Sequence, residues 1–274
     1  AGKGVIIAQS HEEAISAARS MFGGLFHDAG SSIVIEEFMK GEEASVFAIS
    51  DGKDFVLLAP AQDHKRIGDG DTGKNTGGMG AYAPAPIADE AILRQVSEKI
   101  IRPTLDGMLA IGRPFVGCLY AGLMINKGIA KVVEFNCRFG DPETQAVLLA
   151  MDGDLLELLH SAAIGKLNAN ALINPASKHV ACVVIASGGY PDEFKKGYAI
   201  TGINEAEADN AIVFHAGTTA TDGQLCTSGG RVLNVCASGA NLQNALDTAY
   251  NAVRKIKFTN MYFRSDIGAK AGKH

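Results

Sequence analysis

Glu134, Asn136 and Arg138 recur at a spacing of two within EFNCRFGDPE. In an extended strand that spacing sends alternate side chains to one face, roughly 7 Å apart, with Phe135 and Cys137 turned the other way into the core. A carboxylate beside an amide oxygen suits Mg²⁺, which takes a few such ligands and fills its octahedron with phosphate and water. The neighbouring guanidinium suits an anion. The pattern therefore reads as a metal site next to an anion site.

A second segment, Gln62 to Tyr82 (QDHKRIGDGDTGKNTGGMGAY), is polar and glycine-rich, with almost nothing an apolar core could use. Such loops are most often solvated surface, and only the carboxylate–amide–guanidinium row downstream argues for a ligand instead. Within it, Asn75-Thr76-Gly77-Gly78-Met79-Gly80 reads as a nest whose successive backbone N–H groups converge on phosphate or carboxylate oxygens. Asp69, Asp71 and Asn75 imitate a calcium loop, but the spacing departs from an EF-hand and Gly80 stands where the bidentate glutamate belongs. His64, beside Lys65 and Arg66, lacks an evident acid partner, so a hydrogen-bonding or structural histidine is the commoner reading than a general base. Lys3 between Gly2 and Gly4 sets a cation in a flexible turn, which suits a phosphate but is also what an ordinary turn contains. Glu36 and Glu37 close an apolar strand. Two acids there mean either that the strand has reached solvent, or that they accept from an adenine amino group and ribose hydroxyls while the backbone of Phe38 and Met39 reads the purine edge. No serine or cysteine is paired with an oriented base, so a carboxylate substrate would have to be activated by a phosphoryl donor, with Lys65 and Arg138 spreading the developing charge.

The elements that must position these residues fall into three blocks. In the first, Val5 to Ala8 reads as a strand, Ser10 with Glu13 as a capping box opening a helix that ends at Gly23-Gly24, and Ile33 to Phe38 as a second strand. Strands at Ala44–Ile49 and Phe55–Pro60 follow, joined at Asp51-Gly52-Lys53. The second block holds a helix from about Asp89 to Leu109 with a bend at Pro103, and a hairpin of Phe115–Ile125 against Ile129–Cys137. Helices at Glu143–Met151 and Asp154–Ile164 complete it. Beyond a polar stretch near Asn168 to Ser177, the third block has strands at Val180–Ala186, Ala211–Ala216, Gln224–Thr227 and Arg231–Ala237. Its helix, Asn241–Lys257, carries an apolar stripe, and the tail GAKAGKH reads as disordered.

Composition narrows the classes. With 47% hydrophobic and 20% charged residues in 274, the chain is a globular protein with room for more than one domain. A net charge of -5 with dispersed cations excludes an electrostatic footprint for nucleic acid or an anionic membrane. The apolar runs Val116–Ile125 and Val180–Ala186 are too short to span a bilayer and read as buried strands. Five cysteines without a CxxC pair argue against a disulfide framework or zinc and for a reducing, cytoplasmic setting.

AGKGV, IEEF with GEEAS, QDHKRIGDGDTGKNTGGMGAYAPAP and EFNCRFGDPETQ, followed by SGGYP, FHAGT and GGRVL, together resemble the phosphoribosylamine–glycine ligase (glycinamide ribonucleotide synthetase) family of the ATP-grasp superfamily. The resemblance covers nearly the whole chain in order, and the glycine loop paired with FGDPE is its most specific part. It implies an α/β (α+β) ATP-grasp fold, partial at its start, with a small C-terminal α+β domain. The expected divisions are residues 1–58 for the remainder of the small grasp subdomain, 59–170 for the large one and 171–274 for the C-terminal domain and tail. It implies ligation of glycine to 5-phosphoribosylamine with ATP going to ADP and phosphate through glycyl phosphate, with Mg²⁺ or Mn²⁺. By the family pattern Lys3, Glu36, Glu37, Phe38, Met39 and Glu43 contact ATP, and Glu134 and Asn136 hold the metal. Asp63, Asn75, Thr76, Gly77, Gly78, Met79, Gly80 and Asp141 face the substrates, and Lys65 and Arg138 act in catalysis. Family members carry a further amino-terminal α/β domain of about 150 residues, so this chain is expected to be a piece that works with such a domain. Two other readings stand beside this one: another ATP-grasp carboxylate–amine ligase, and a catalytically incomplete nucleotide-binding fragment.

Overall fold

The structure is a computed structural model that describes residues 4–273. Two compact units divide at Lys40–Gly41.

In the first unit, helix α1 (His11–Ser20) begins where the capping box places it: Ser10 Oγ accepts from the Glu13 amide at 3.2 Å, and the Glu13 carboxylate reaches back to the Gln9 amide at 2.7 Å. Neither expected strand forms. Residues 5–8 and 33–40 take no regular secondary structure and form no strand ladder among the described residues, and Val34 and Ile35 keep 82% and 87% of their surface exposed. A strand is defined by its ladder, so apolar alternation alone does not make one.

The second unit is built around two antiparallel sheets. The first has the order β2-β1-β7-β8, from β1 (Glu42–Asp51), β2 (Phe55–Leu57), β7 (Val116–Asn126) and β8 (Ile129–Asn136). Its central strands are apolar on both faces because both faces are covered. Val46, Ala48, Leu119 and Leu123 pack on the helices α2 (Glu90–Val96) and α3 (Arg102–Ala110), through Ile92, Val96 and Leu105. Phe47, Ile49, Cys118 and Tyr120 pack on α4 (Glu143–Ala150) and α5 (Leu155–Ala163). Between α2 and α3 lies a π-helical turn, Ser97–Ile101. Pro103 has no N–H to return to the preceding turn, which is where the sequence places the bend.

The second sheet has the order β10-β11-β9-β6-β3. It joins β9 (His179–Ser187), β10 (Ala211–His215) and β11 (Arg231–Gly239) to β3 (Gln62–Asp63) and β6 (Gly80–Ala83), with β12 (Met261–Tyr262) pairing to β9. One face meets α4 and the other is closed by α6 (Leu242–Lys255), whose Ala245, Ala249, Ala252 and Val253 are buried. The two strands that flank the glycine-rich segment are thus inserted in a sheet otherwise made of C-terminal residues. That corrects the reading of Gln62 to Tyr82 as a loop no core could use: Gln62, His64, Met79 and Tyr82 are buried, and only the excursion between Arg66 and Gly77 stays outside. Buried Gln62 is satisfied on both sides, donating to the Glu43 carbonyl at 2.8 Å and accepting from the Tyr82 hydroxyl. The tail is another correction. Ile267 is buried and Ala269–Lys273 forms a 3₁₀ turn. Among the described residues no helix is long and apolar enough to cross a membrane.

Candidate active site

Asp63, Lys65 and Glu43 meet where β3 passes β1, a crossing fixed by mutual backbone bonds of 2.8 and 2.9 Å between Ser45 and Ala61. Lys65 Nζ pairs with the Glu43 carboxylate. Burial alone would lower the Lys65 ammonium, but Asp63 and Glu43 outweigh it and hold the group above the usual lysine range, fully protonated. Burial has the opposite consequence for Asp63. Lys65 opposes the rise while Glu143 and Glu43 add to it, and the carboxyl is pushed up to about 7.

Behind this group lies a buried polar network. Glu143 of the FGDPE segment is 5% exposed. Its Oε1 accepts from Tyr120 Oη at 3.1 Å and Ser45 Oγ at 3.4 Å, and those two hydroxyls are 2.7 Å apart. A buried carboxylate held this way fixes α4 against the first sheet. Sequence reasoning missed Tyr120 and Ser45, because a hydroxyl within an apolar strand run carries no signal of its partner.

The strand bearing Glu134 and Asn136 contains a β-bulge. Leu123 pairs with Val132, but the next residue back, Gly122, pairs with Glu134, so Val133 is the extra residue. The bulge moves Glu134 and Asn136 to the face of Gly122 and Tyr120, while Ala130 and Val132 pack with the α2–α3 cluster. The Glu134 side chain lies directly over Gly122, where an added Cβ would stand 3.2 Å from its Cγ. The Asn136 amide nitrogen donates to Glu134 Oε1 at 3.2 Å, which commits the nitrogen and not the amide oxygen. Two expectations about this stretch need correction. Phe135 is 39% exposed and Cys137 is exposed, because β8 is the outer strand of its sheet. Arg138 lies past the strand's last residue, so it does not continue the row; it is exposed and donates to the Phe139 carbonyl at 3.1 Å. Among the described residues no cluster of three or more His, Cys, Asp or Glu side chains could hold a metal. The donors that fit one are the carboxylate of Glu134 and the amide oxygen of Asn136, a hard-oxygen pair that leaves most of an octahedral shell to phosphate and water.

The glycine segment is not an open nest. Its amides already have partners: Thr76 donates to the Lys65 carbonyl at 2.7 Å, Gly77 to Tyr190 Oη at 3.0 Å, Gly78 to Thr76 Oγ1 at 2.9 Å and Met79 to the His64 carbonyl at 2.8 Å. The glycines are needed for close approach instead. A Cβ on Gly77 would lie 3.0 Å from the Arg231 guanidinium, and one on Gly78, at φ +112, would lie 2.4 Å from Pro142 Cδ. Arg231 stitches the site together. It donates to the Gly77 carbonyl at 2.9 Å, to the Asp141 carbonyl at 2.8 Å, and to both Asp141 carboxylate oxygens at 3.3 and 3.1 Å. Asp141, expected at a substrate, is therefore engaged by Arg231.

His64 is fully buried, and among the described residues neither ring nitrogen has a hydrogen-bond partner. Burial, reinforced by Lys270 and Arg264, lowers it to about 3, so the ring is neutral at physiological pH. The acids that imitated a calcium loop are paired with cations: Asp71 with Arg264 at 2.8 Å and Lys270 at 2.9 Å. Among the remaining expected contacts, Glu36, Glu37, Phe38 and Met39 lie in a stretch of the first unit without regular secondary structure, with Phe38 exposed. Lys3 lies outside the described residues.

Two antiparallel sheets with helices packed against them make a fold that is shared with ATP-grasp proteins. The Campylobacter jejuni biotin carboxylase in its beta-gamma-ATP complex superposes with a TM-score of 0.67 over 96% of this chain at 12% identity, a likeness of fold alone. Residues 1–144 match the phosphoribosylglycinamide synthetase ATP-grasp (A) domain, and residues 180–270 match the C domain of the same family. The chain belongs to the phosphoribosylglycinamide synthetase family. It is 50% identical over 99% of its length to the phosphoribosylamine–glycine ligase of Chlorobaculum tepidum and 48% identical to that of Pseudomonas aeruginosa. The crystal structure of the Thermotoga maritima ligase superposes with a TM-score of 0.85 at 33% identity, covering 97% of this chain. The chain spans 64% and 63% of the two curated relatives' lengths and 66% of the Thermotoga chain.

Proposed function

We propose that the chain takes part in the ATP-dependent ligation of glycine to 5-phosphoribosylamine, giving glycinamide ribonucleotide, ADP and phosphate. The observation that carries this reading is that Lys65, paired with Glu43 and beside Asp63, also lies within the field of Glu134, which Asn136 accompanies on the bulged strand, in a chain half identical to ligases of that name. Glycine's carboxylate oxygen attacks the γ-phosphorus of ATP and ADP leaves. The phosphoribosylamine nitrogen then attacks the acyl carbon of glycyl phosphate, phosphate departs, and the amine proton ends on that phosphate. Lys65, held protonated, offsets the charge of the transferring group, and exposed Arg138 reaches the acyl oxygen as it becomes negative. Glu134 and Asn136 would hold Mg²⁺ or Mn²⁺, which when bound supplies charge neutralisation on the ATP phosphates. Glu36 to Met39, Glu43 and Lys3 are assigned to ATP, and Asp63 with the Asn75–Gly80 segment to the walls around glycine and phosphoribosylamine.

The test is ADP release by the complete polypeptide. It is expected to require glycine, phosphoribosylamine and a divalent cation together. Equal turnover with an unrelated amino acid, or release without the amine, would remove this reading.

A further inference from the structure

Arg264 is 1% exposed, and a guanidinium withdrawn from water is tolerated only when its donors are paired. Its Nε and Nη2 donate to Asp266 at 2.7 and 2.6 Å, and its Nη1 to Asp71 at 2.8 Å and to the Arg66 carbonyl at 3.0 Å. Asp266 in turn accepts from the Gly70 amide at 2.8 Å. Next to it, the Ser265 amide donates to Asp69 at 3.0 Å, and Tyr262 Oη donates to the Ile67 carbonyl at 2.9 Å. The segment 262–270 thus bonds to the hairpin formed by β4 (Arg66–Gly68) and β5 (Thr72–Asn75) at almost every residue of its tip. Lys270 completes the contact. It pairs with Asp71 at 2.9 Å and approaches the Asp63 carbonyl at 3.4 Å.

The holding segment is itself rooted. Tyr250 of α6 donates to the Arg264 carbonyl and accepts from the Ile267 amide, both at 2.9 Å. Ile267 packs so closely on β6 that a Cβ on Gly80 would lie 2.6 Å from its Cδ1. Lys74 on β5, by pairing with Asp192, is a further side-chain tie on this polar hairpin. The strand that delivers Asp63 and Lys65 runs directly into it.

We propose that the segment Met261–Lys270 is a scaffold beneath the substrate surface, with Arg264 and Lys270 as positioning residues that hold 63–75, and so set where Asp63 and Lys65 stand. The inference rests on the assignment of those two residues to the ligation. It adds a role for charges at the far end of the chain that touch no substrate.

Lys270→Met and Lys270→Arg in the complete polypeptide test it, since Lys270 is partly exposed and its loss spares the buried arginine. Amide hydrogen exchange and steady-state kinetics are read together. Lys270→Met is expected to speed exchange at Gly70, Thr76 and Met79 about tenfold while the amides of β1 and β7 stay unchanged. It is also expected to raise KM for glycine or phosphoribosylamine about fivefold with kcat within about twofold, and Lys270→Arg is expected to restore both. Unchanged exchange and KM in Lys270→Met would overturn the proposal. So would faster exchange spread through β1 and β7, which would mean a role in global stability alone. If the wild-type protein forms no glycinamide ribonucleotide, the functional reading fails, and the exchange measurement alone decides whether the tail positions the hairpin.

Discussion

The hairpin at 66–75 and the strand end at 134–138 are both polar and dense in charge, yet their charges are used differently. In the hairpin, Asp69 and Asp71 are bonded to Ser265, Arg264 and Lys270, and Lys74 pairs with Asp192 at 2.7 Å. At the strand end, Arg138 is exposed and bonds to the carbonyl next to it, while Glu134 and Asn136 are turned by the bulge onto one face with an amide oxygen uncommitted. The two arginines make the contrast plain. Arg264 sits 1% exposed amid carboxylates and serves the fold, and Arg138 sits in the open where chemistry can reach it. Charge in a motif is therefore no guide to chemistry until its partners are known.

That contrast can be broken from the hairpin side first. Arg264→Met takes the guanidinium from Asp266 and leaves Asp71 with Lys270 alone, and it is expected to cost about 3–5 kcal/mol of stability, read as the midpoint of urea unfolding. A loss below about 1 kcal/mol would mean the cluster behaves as surface ion pairs. Gly78→Ala sharpens the same side. With φ at +112 and Pro142 Cδ at 2.4 Å from the new Cβ, it is expected to destabilise by about 2 kcal/mol, whereas a neutral result would show that the segment can shift away from Pro142.

On the strand-end side the balance between stability and activity reverses. Glu134→Gln is expected to lower metal-dependent ATP turnover about tenfold or more and to leave the unfolding midpoint nearly unmoved. Wild-type turnover at limiting Mg²⁺ would remove Glu134 as a ligand.

The smallest expected effect is in pH. Despite burial, which raises it, Asp266 is held below the usual carboxylate range by its bonds to Arg264 and Gly70. Asp71 is lowered likewise through Lys270 and Arg264. Carboxyls with depressed folded-state values contribute stability that is present above the unfolded value of about 4 and lost as pH falls below it. Acid unfolding between about pH 4 and pH 2 should therefore be shallower in Asp266→Asn than in the wild type. Superimposable acid limbs would refute that contribution.

Much of this was legible in the sequence. The carboxylate and amide at 134 and 136 stand together, as their spacing implied, and the expected strands near 44–49, 115–137, 180–186, 211–216 and 231–237 and the helix starts near Asp89, Asp154 and Asn241 follow the local signals. What the sequence concealed were long-range partners. The bulge at Val133 depends on the register with β7, the glycines at 77 and 78 on Arg231 and Pro142 more than 60 residues on, and the order of the tail on acids at 69 and 71. The strands expected at 5–8 and 33–38 failed for the same reason, since alternation in one segment says nothing about whether a second strand pairs with it.

The fate of glycine's carboxylate oxygens tests the proposed chemistry most directly. With glycine labelled with ¹⁸O in the carboxylate, turnover by the complete polypeptide should deliver one labelled oxygen to each phosphate released and leave ADP unlabelled. Unlabelled phosphate throughout would contradict glycyl phosphate as the intermediate, and with it the roles of Lys65 and Arg138 in stabilising its formation and breakdown.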